Sequence, residues 1–240
     1  MNQVVVKQEK SGYQIVEAYK SLRTNLQFCG EDKKVIAVTS CTPNEGKSSV
    51  SMQLGISLAE SGKRVILIDA DLRKSVLLGR TKTQKSVRGL AHFLSGQATL
   101  EDVICSTNVK NFYMIYSGPF PPNPAELLGG KNFRSLLNAL RKVYDYVIVD
   151  TPPLGSVIDS AIVAEICDGS IMVIESGVIS YRFAQEVKSQ LERSNCPLLG
   201  VVLNKVDMQK QAYGKYGKYG QYKYCLLYTS PSPRDRTRSR

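Results

Sequence analysis

Residues with the types and spacing of a phosphate-binding loop lie between positions 40 and 49. Gly46, Lys47 and Ser48 follow a short polar turn. In such a loop the backbone N–H groups at the start of a helix face the phosphates, the lysine adds a full positive charge, and the hydroxyl can ligate Mg²⁺. The residues predicted to contact a nucleotide here are Pro43, Asn44, Glu45, Gly46, Lys47, Ser48 and Ser49.

The loop departs from the G-x-x-x-x-G-K-[ST] pattern of a Walker A motif at one position. Cys41 stands where the first glycine is expected. The mechanism of the motif requires a strand before the loop and a helix after it, and the flanking sequence supplies both. We therefore predict a Walker A loop despite the substitution.

Three aspartates follow apolar runs and are expected at the same end of a sheet. Asp69 and Asp71 follow residues 65–68, and Asp150 follows residues 147–149. Ligands of open α/β sheets bind beyond the carboxyl ends of the strands, which is the side of the phosphates. Side chains one residue apart on a strand leave on opposite faces, so at least one of Asp69 and Asp71 can face a metal or a nucleophile. Asp150 has the position of a Walker B carboxylate, which holds a Mg²⁺-bound water opposite the loop.

The tetrapeptide Asn204-Lys205-Val206-Asp207 follows the last apolar run and has three interpretations. It fits the N-K-x-D pattern by which GTPases read guanine, although Asp150 is followed by Thr-Pro-Pro where those proteins carry D-x-x-G. Asn204 could equally place its amide against an adenine edge. A solvated loop is the third interpretation, and the sequence leaves all three open.

The elements that must position these residues alternate between strands and helices. Residues 35–38 form an apolar run, and Val50, Leu54 and Leu58 recur at helical spacing after the loop, so strand, loop and helix follow one another. Further strands are predicted at 64–71, 112–116, 145–150, 170–174 and 198–203, and helices at 15–28, 89–94, 100–104, 133–143, 157–166 and 182–193, with a polar loop at 72–87. This order predicts an α/β fold with a mostly parallel sheet flanked by helices.

Length and charge predict one main domain with a basic tail. The chain has 240 residues, of which 42% are hydrophobic, and a net charge of +11. Residues 209–240 hold eight Lys or Arg and one Asp, a net charge of +7, which leaves +4 for the first 208 residues. The folded part therefore gives little indication of a nucleic-acid partner. We divide the chain into a flexible arm (1–14), a main domain (15–208), a tyrosine-rich tail (209–224) and an extension (225–240).

Cysteine usage and hydropathy indicate the compartment. Six cysteines show no C-x-x-C spacing and are accompanied by a single histidine, which argues against a zinc site and for free thiols in a reducing compartment. No apolar run approaches the ~18 residues that a transmembrane helix needs. We predict a cytoplasmic protein whose membrane association depends on a partner.

The tail carries tyrosines at every third position. These are Tyr213, Tyr216, Tyr219 and Tyr222, followed by Tyr224. A period of three fits neither an amphipathic helix nor a strand, so we predict a mobile tail that presents hydroxyls, with a spacer or an adhesive aromatic segment as alternatives. Residues 225–240 break this pattern with an Arg/Ser-rich run that could bind RNA, and we interpret them as a non-native or disordered extension without assigned function.

Taken together, these motifs resemble those of the bacterial tyrosine kinases (BY-kinases) of capsular polysaccharide synthesis. The resemblance covers about residues 15–224 and rests on the segments 40–48, 66–73, 122–128 and 147–153 and on the tyrosine cluster. It implies a P-loop NTPase fold of the SIMIBI/MinD-like class. It also implies an ATP-dependent protein-tyrosine autokinase that regulates capsule synthesis and phosphorylates its own tail between subunits.

The resemblance implies roles for the site residues and a requirement for ATP and Mg²⁺. Lys47 and Ser48 would hold the phosphates, and Ser48, Asp71 and Asp150 would hold the metal. Asp69 would take the proton of the incoming tyrosine hydroxyl, with Lys47 and Asp71 assisting catalysis.

A face of the first helix resembles the segment by which this family forms rings. Glu17, Lys20 and Arg23 correspond to its E-x-x-R-x-x-R pattern, with lysine in place of the middle arginine. Lysine lacks the planar fork of arginine, so the ring is expected to be weaker. Without a family context the same face is simply a solvated surface with weak pairing.

The resemblance also implies partners. A transmembrane activator of the polysaccharide co-polymerase type would recruit the kinase to the inner face of the membrane, and a phosphotyrosine phosphatase would reverse its action. The rival hypothesis is a ParA/MinD-type ATPase that switches with its nucleotide and modifies no protein. Those proteins carry a signature lysine that would fall at Thr42, and they lack a tyrosine tail.

Overall fold

The structure, a computed structural model, describes residues 2–7, 12–83 and 87–206, with the side chains of positions 82 and 83 left aside. Within this part of the chain a nine-stranded sheet forms in the order β4-β1-β5-β6-β3-β7-β2-β8-β9. The strands are β1 (Asn2–Val6), β2 (Val35–Ser40), β3 (Val65–Asp69), β4 (Thr81–Thr83), β5 (Ile104–Thr107), β6 (Phe112–Ile115), β7 (Tyr146–Asp150), β8 (Gly169–Glu175) and β9 (Leu198–Asn204). The pairs β1/β4 and β5/β6 are antiparallel and the others are parallel.

Helices cover both faces of the sheet. They are α1 (Tyr13–Phe28), α2 (Lys47–Glu60), α3 (Leu90–Leu94), α4 (Leu100–Val103), α5 (Pro124–Gly129), α6 (Lys131–Val143), α7 (Asp159–Ala164) and α8 (Tyr181–Arg193), with a 3₁₀ turn at Leu78–Arg80. The predicted α/β class, with a mostly parallel sheet between helical layers, is confirmed.

The central strands are buried on both faces, and their side chains alternate between two hydrophobic cores. On β2, Val35 and Ala37 pack into the core beneath α6, whereas Ile36 and Val38 pack into the core beneath α1 and α2. A strand covered on both sides has no polar face, so its sequence is continuously apolar. This arrangement explains why β2, β3 and β7 stand out in the sequence and why their carboxyl ends meet at one edge.

The prediction of a flexible arm at residues 1–14 is wrong for the part of this range that the structure describes, residues 2–7 and 12–14. Asn2–Val6 is strand β1, paired with β4 and β5, and Val4 and Val6 are buried while Val5 is exposed. Helix α1 also begins earlier than predicted, at Tyr13. The alternation of burial over positions 4–6 is the period-two signal of a strand with one covered face, but it is too short to be decisive in the sequence.

The region between β3 and β6 also differs from its prediction. The predicted loop at 72–87 contains the 3₁₀ turn and strand β4, and the predicted helix at 100–104 ends at Val103, one residue before β5 begins at Ile104. Both strands are short and lie toward one edge of the sheet. Strand β1, which is distant in sequence, pairs with both of them, and local residue patterns do not reveal such a partner.

Two further observations concern the described part of the chain. Its helices include none that is both long enough and apolar enough to span a bilayer. Its five cysteines are Cys29, Cys41, Cys105, Cys167 and Cys196, and all are unpaired thiols, as predicted. The sixth cysteine and the tail tyrosines lie outside the described residues.

Candidate active site

The predicted phosphate loop connects β2 to α2 and has the backbone that a Walker A loop requires. Gly46 has φ +89°, in the left-handed region, and directly precedes the first residue of α2, Lys47. A Cβ at position 46 would lie 2.1 Å from Nδ2 of Asn204, so only glycine fits. The N–H groups at the start of α2 are thereby directed into the space above the sheet.

Two residues of the loop, Glu45 and Cys41, are buried and stabilise it. The buried carboxylate of Glu45 accepts hydrogen bonds from the backbone N–H of Thr42, from its hydroxyl (2.8 Å) and from the backbone N–H of Glu175 at the end of β8 (3.0 Å). Cys41 is fully buried, and burial raises the pKa of its thiol to about 12. The cysteine at the first motif position is therefore a neutral packing group.

The last residue of β9 and the residue after it contact the backbone of the phosphate loop. Asn204 Nδ2 donates to the carbonyl oxygen of Glu45 (2.8 Å), and Lys205 Nζ donates to the carbonyl oxygen of Asn44 (2.7 Å) and to Glu175 (2.9 Å). The sequence left Asn204 between a guanine reader, an adenine contact and a solvated loop. In the structure its amide N–H contacts the loop backbone, and Asp207, the last residue of the N-K-x-D pattern, lies outside the described residues.

This contact predicts the behaviour of Asn204→Ala. The substitution removes a hydrogen bond that fixes the loop, worth about 0.5–1.5 kcal/mol, so nucleotide affinity should fall about threefold to tenfold. Because the contact involves the loop and not a base, analogues of ATP and GTP should weaken by the same factor in a titration. A change in the ratio of the two affinities would instead support base recognition by Asn204.

The charged centre lies between α2 and β7. Lys47 Nζ is 2.7 Å from Oδ1 of Asp150 and 3.2 Å from Oγ of Ser48, and Ser51 donates to the same Asp150 oxygen (3.0 Å). Lys47 and Asp150 are both buried, so their attraction is weakly screened. The Walker A lysine and the Walker B carboxylate thus form one ion pair.

Asp69 lies beside this pair. It is fully buried at the end of β3, in register with Asp150 on β7, and Oδ2 accepts a hydrogen bond from the hydroxyl of Ser75. Burial, and then the negative charge of Asp150, raises the pKa of Asp69 to about 7, while Ser75 and Lys47 act in the opposite direction. Oδ1 of Asp69 and Oδ2 of Asp150 have no hydrogen-bond partner among the residues that the structure describes.

Asp71 stabilises the loop that follows β3 by accepting hydrogen bonds from its backbone. Its Oδ1 accepts from the backbone N–H groups of Lys74 (2.9 Å) and Arg73 (3.3 Å). The Arg73 guanidinium in turn makes two bonds, of 2.6 and 3.1 Å, to the fully buried carboxylate of Asp159 on α7. These contacts hold the segment that carries Ser75 against Asp69.

Sequence reasoning missed Ser51, Ser75 and Asp159. Ser51 and Asp159 each lie within a helix whose other residues suggest packing alone, and Ser75 lies in a polar loop. A buried acid in an apolar segment is the one signal that could have identified Asp159, since such groups are rarely fully buried without a partner.

The oxygen atoms of the site suit a magnesium ion. Mg²⁺ binds oxygen, keeps several waters and takes one or two carboxylates together with substrate phosphates. Oδ2 of Asp150, the carboxylate of Asp71 and the hydroxyl of Ser48 provide such ligands. Within the described ranges, no group of three or more His, Cys, Asp or Glu could hold a metal alone.

The predicted ring face on α1 makes contacts within the chain. Glu17 and Lys20 form an exposed ion pair of 2.8 Å. Arg23 Nη1 donates to the carbonyl oxygen of Ser57 on α2 (2.9 Å), so this arginine attaches α1 to α2.

Comparison with known proteins identifies the family. Residues 33–193 match the family model described as an AAA domain. Tyrosine-protein kinase CpsD of Streptococcus pneumoniae is 46% identical over 198 residues, which cover 82% of this chain and 87% of that protein. The kinase domain of the Escherichia coli tyrosine kinase ETK is 33% identical, with a TM-score of 0.76 over 89% of this chain and 80% of that one.

A more distant structure shows the wider fold class. The septum site-determining protein MinD of Pyrococcus horikoshii, complexed with Mg-ADP, is 22% identical with a TM-score of 0.61, over 75% of this chain and 76% of that one. At this identity the likeness concerns the fold alone and confirms the predicted MinD-like P-loop class.

The higher identity to tyrosine kinases favours a kinase over a MinD-type switch. The chain belongs to the family of bacterial tyrosine-protein kinases, with a nucleotide-binding P-loop at Gly46–Lys47–Ser48.

Proposed function

We propose that this kinase transfers the terminal phosphoryl group of ATP to tyrosine hydroxyls, including those of its own tail, and thereby regulates capsular polysaccharide synthesis. The observation that carries the proposal is the convergence of Lys47, Asp69 and Asp150 beside the start of α2. Phosphoryl transfer depends mainly on positioning and charge neutralisation. A cation and two carboxylates at a helix N-terminus supply both.

Each residue then has a defined task. The N–H groups at the start of α2 and the ammonium group of Lys47 bind the phosphates, for which Lys47 exchanges its contact with Asp150. The phenolic oxygen forms the new bond to the terminal phosphorus, the bond from that phosphorus to the ADP oxygen breaks, and the phenolic proton passes to Asp69. Ser75 holds the Asp69 carboxylate in place through its hydrogen bond.

Ser48, Asp71 and Asp150 would hold the magnesium ion. When bound, the ion neutralises charge on the phosphate oxygens. Asp150 Oδ2 and Asp71 can act without loss of their existing roles, since each carboxylate uses the other oxygen for its contacts within the chain.

The tail tyrosines are the proposed acceptors, and the reaction takes place between subunits. Each phosphate adds about −1.5 to −2 charges, so four or five modified tyrosines would reverse the positive charge of the tail. Strand β9 lies four strands from β3, about 19 Å away at ~4.8 Å per strand. The seven residues that follow Val206, ending at Tyr213, span up to about 25 Å when extended, so the tail is long enough to reach the active site of its own chain. An experiment must therefore separate transfer within a chain from transfer between chains.

Mixing two full-length variants makes this separation. One is Lys47→Met with its tyrosines intact, and the other has an intact P-loop with Tyr213, Tyr216, Tyr219, Tyr222 and Tyr224 changed to Phe. After incubation with labelled ATP, we expect phosphotyrosine on the Lys47→Met chain, at a rate that rises with the concentration of its partner. Absence of phosphotyrosine from the Lys47→Met chain in this mixture, while the parent protein alone labels its own tail at a rate per chain that is independent of concentration, would contradict transfer between subunits.

The partners follow from the family resemblance. We propose recruitment to the inner face of the membrane by a transmembrane activator of the polysaccharide co-polymerase type, a ring of subunits assembled through Glu17, Lys20 and Arg23, and reversal by a phosphotyrosine phosphatase. Lys20→Arg should strengthen the ring, because it restores the planar fork. Copurification from native membranes, followed by identification of the proteins retained, tests the activator.

A further inference from the structure

A pocket beside the active site is large enough for an aromatic side chain. Its volume is about 520 Å³, within the range of small-ligand sites. The segments that follow β3 and β6 form it. We call it the acceptor pocket, and its apolar walls are Leu72, Leu78, Val87, Tyr116, Pro119 and Phe120.

The acceptor pocket adjoins the fully buried carboxylate of Asp69 through one lining residue. Ser75 belongs to its lining, and the hydroxyl of Ser75 donates to Asp69. A group inserted at this point therefore approaches the residue to which the proposed reaction sends the phenolic proton. The pocket lies on the strand β3 side of the centre, whereas the phosphate loop lies beyond β7 on β2.

Two lining residues of the acceptor pocket are apolar and largely exposed. Phe120 is 64% exposed and Leu78 is 52% exposed. Phe120 stands between Pro119 and Pro121, whose fixed φ angles limit backbone freedom, so it loses little entropy when it meets a ligand. By contrast, the neighbouring Leu77 is fully buried and anchors the segment.

The charge of the lining favours a neutral ring. Arg73 and Lys74 line the acceptor pocket, and Arg73 is paired with Asp159. Lys74 therefore repels cationic side chains that enter. Residues 213–224 offer tyrosines with glycines and lysines between them, and of these side chains only the phenol is both neutral and aromatic.

We propose that the acceptor pocket binds the phenol ring of a tyrosine from residues 213–224, with Leu78 and Phe120 as its walls. This inference rests on the proposed function and goes beyond it by naming the residues that select the acceptor. Leu78 and Phe120 are specificity residues. They contact the substrate ring and take no part in the transfer of the phosphoryl group.

The affinity of the protein for a tail peptide tests the proposal without requiring catalysis. The probe is a fluorescent peptide with the sequence of residues 213–224, added to the full-length protein with a non-hydrolysable ATP analogue. Truncation of an aromatic or aliphatic anchor commonly costs about tenfold or more in affinity, so Leu78→Ala and Phe120→Ala should each weaken peptide binding by about that factor. Phe120→Leu should retain most of the affinity, and the affinity for the ATP analogue should stay within about twofold in all three variants.

A matched control and a crosslink complete the test. Phe28→Ala removes an aromatic side chain that is 82% exposed on α1, away from the pocket, and should leave peptide binding unchanged. A peptide with p-benzoylphenylalanine in place of Tyr219 should crosslink to residues 72–78 or 116–120. Unchanged binding in Leu78→Ala and Phe120→Ala, or crosslinks confined to other segments, would overturn the proposal.

These outcomes are independent of the proposed function. If the acceptor pocket is wrong but the kinase reaction is right, the peptide binds elsewhere and the parent still labels tyrosine while Lys47→Met does not. If the kinase reaction is wrong, the parent labels no tyrosine whatever the peptide binds.

Discussion

Asp69→Asn is expected to lower tyrosine phosphorylation by about 10²–10⁴-fold, the usual contribution of a positioned base, and at the same time to stabilise the ligand-free protein. The stability gain arises because Asp69 is fully buried beside Asp150, so its charged form is costly. Asparagine has nearly the same shape and keeps an oxygen for the Ser75 hydroxyl. Chemical denaturation and phosphotyrosine detection on the same preparation measure both effects.

The stability gain should depend on pH with a defined sign. The pKa of Asp69 is about 7 in the folded protein and 3.8 without perturbation, so the folded state retains a proton that the unfolded chain releases. Between about pH 4 and pH 7 this group therefore destabilises the fold increasingly as pH rises. The advantage of Asp69→Asn should be small near pH 4 and complete above pH 7.

The matched control for this variant is Asp145→Asn. Asp145 is exposed just before β7, at the opposite end of the strand from Asp150, and accepts a bond from the backbone N–H of Arg64 that asparagine can also accept. It should change neither activity nor the pH dependence of stability. Full phosphorylation by Asp69→Asn would remove Asp69 from the reaction and leave the fold assignment intact.

Lys47→Met should abolish transfer and, unlike Asp69→Asn, destabilise the ligand-free protein. The substitution leaves the Asp150 carboxylate buried beside Asp69 without its cation, a change that typically costs about 3–5 kcal/mol. Activity should fall by at least about 10²-fold because the phosphates lose their principal positive charge. Denaturation midpoints and phosphotyrosine yield provide the two measurements.

A double variant tests the physical cause. Lys47→Met with Asp150→Asn removes both charges of the ion pair, so it should recover most of the lost stability while activity stays absent. Lys63→Met, an exposed lysine after α2, should change neither quantity. If the double variant were as unstable as Lys47→Met, packing around residue 47 and not the unpaired carboxylate would explain the loss.

The central sheet and the residues at its carboxyl edge could be predicted because local patterns determine them. Strands β2, β3 and β7 are covered on both faces, so their sequences are continuous apolar runs that end in the residues of the site. Gly46, Lys47 and Ser48 form a motif whose spacing is fixed by the phosphates that it binds. The positions of Asp69 and Asp150 then follow from parallel topology.

The remaining parts depend on contacts between distant residues. Strand β1 exists because β4 and β5 flank it, and neither of those strands has a clear pattern of its own. Asn204 contacts Glu45 across 159 positions of sequence, and Arg73 contacts Asp159 across 86. No local pattern encodes such pairs, so the sequence identified Asn204 as significant but not what it touches.

The buried thiol at the first position of the phosphate loop has a practical consequence. A cysteine at a nucleotide site is a natural target for covalent inhibitors. The thiolate is the form that reacts with them, however, and burial raises the pKa of Cys41 to about 12, so the thiol stays protonated. Electrophiles can therefore reach it only when the loop opens. The rate at which Cys41 is alkylated therefore reports how often the loop opens. Mass spectrometry can measure this rate without an added label.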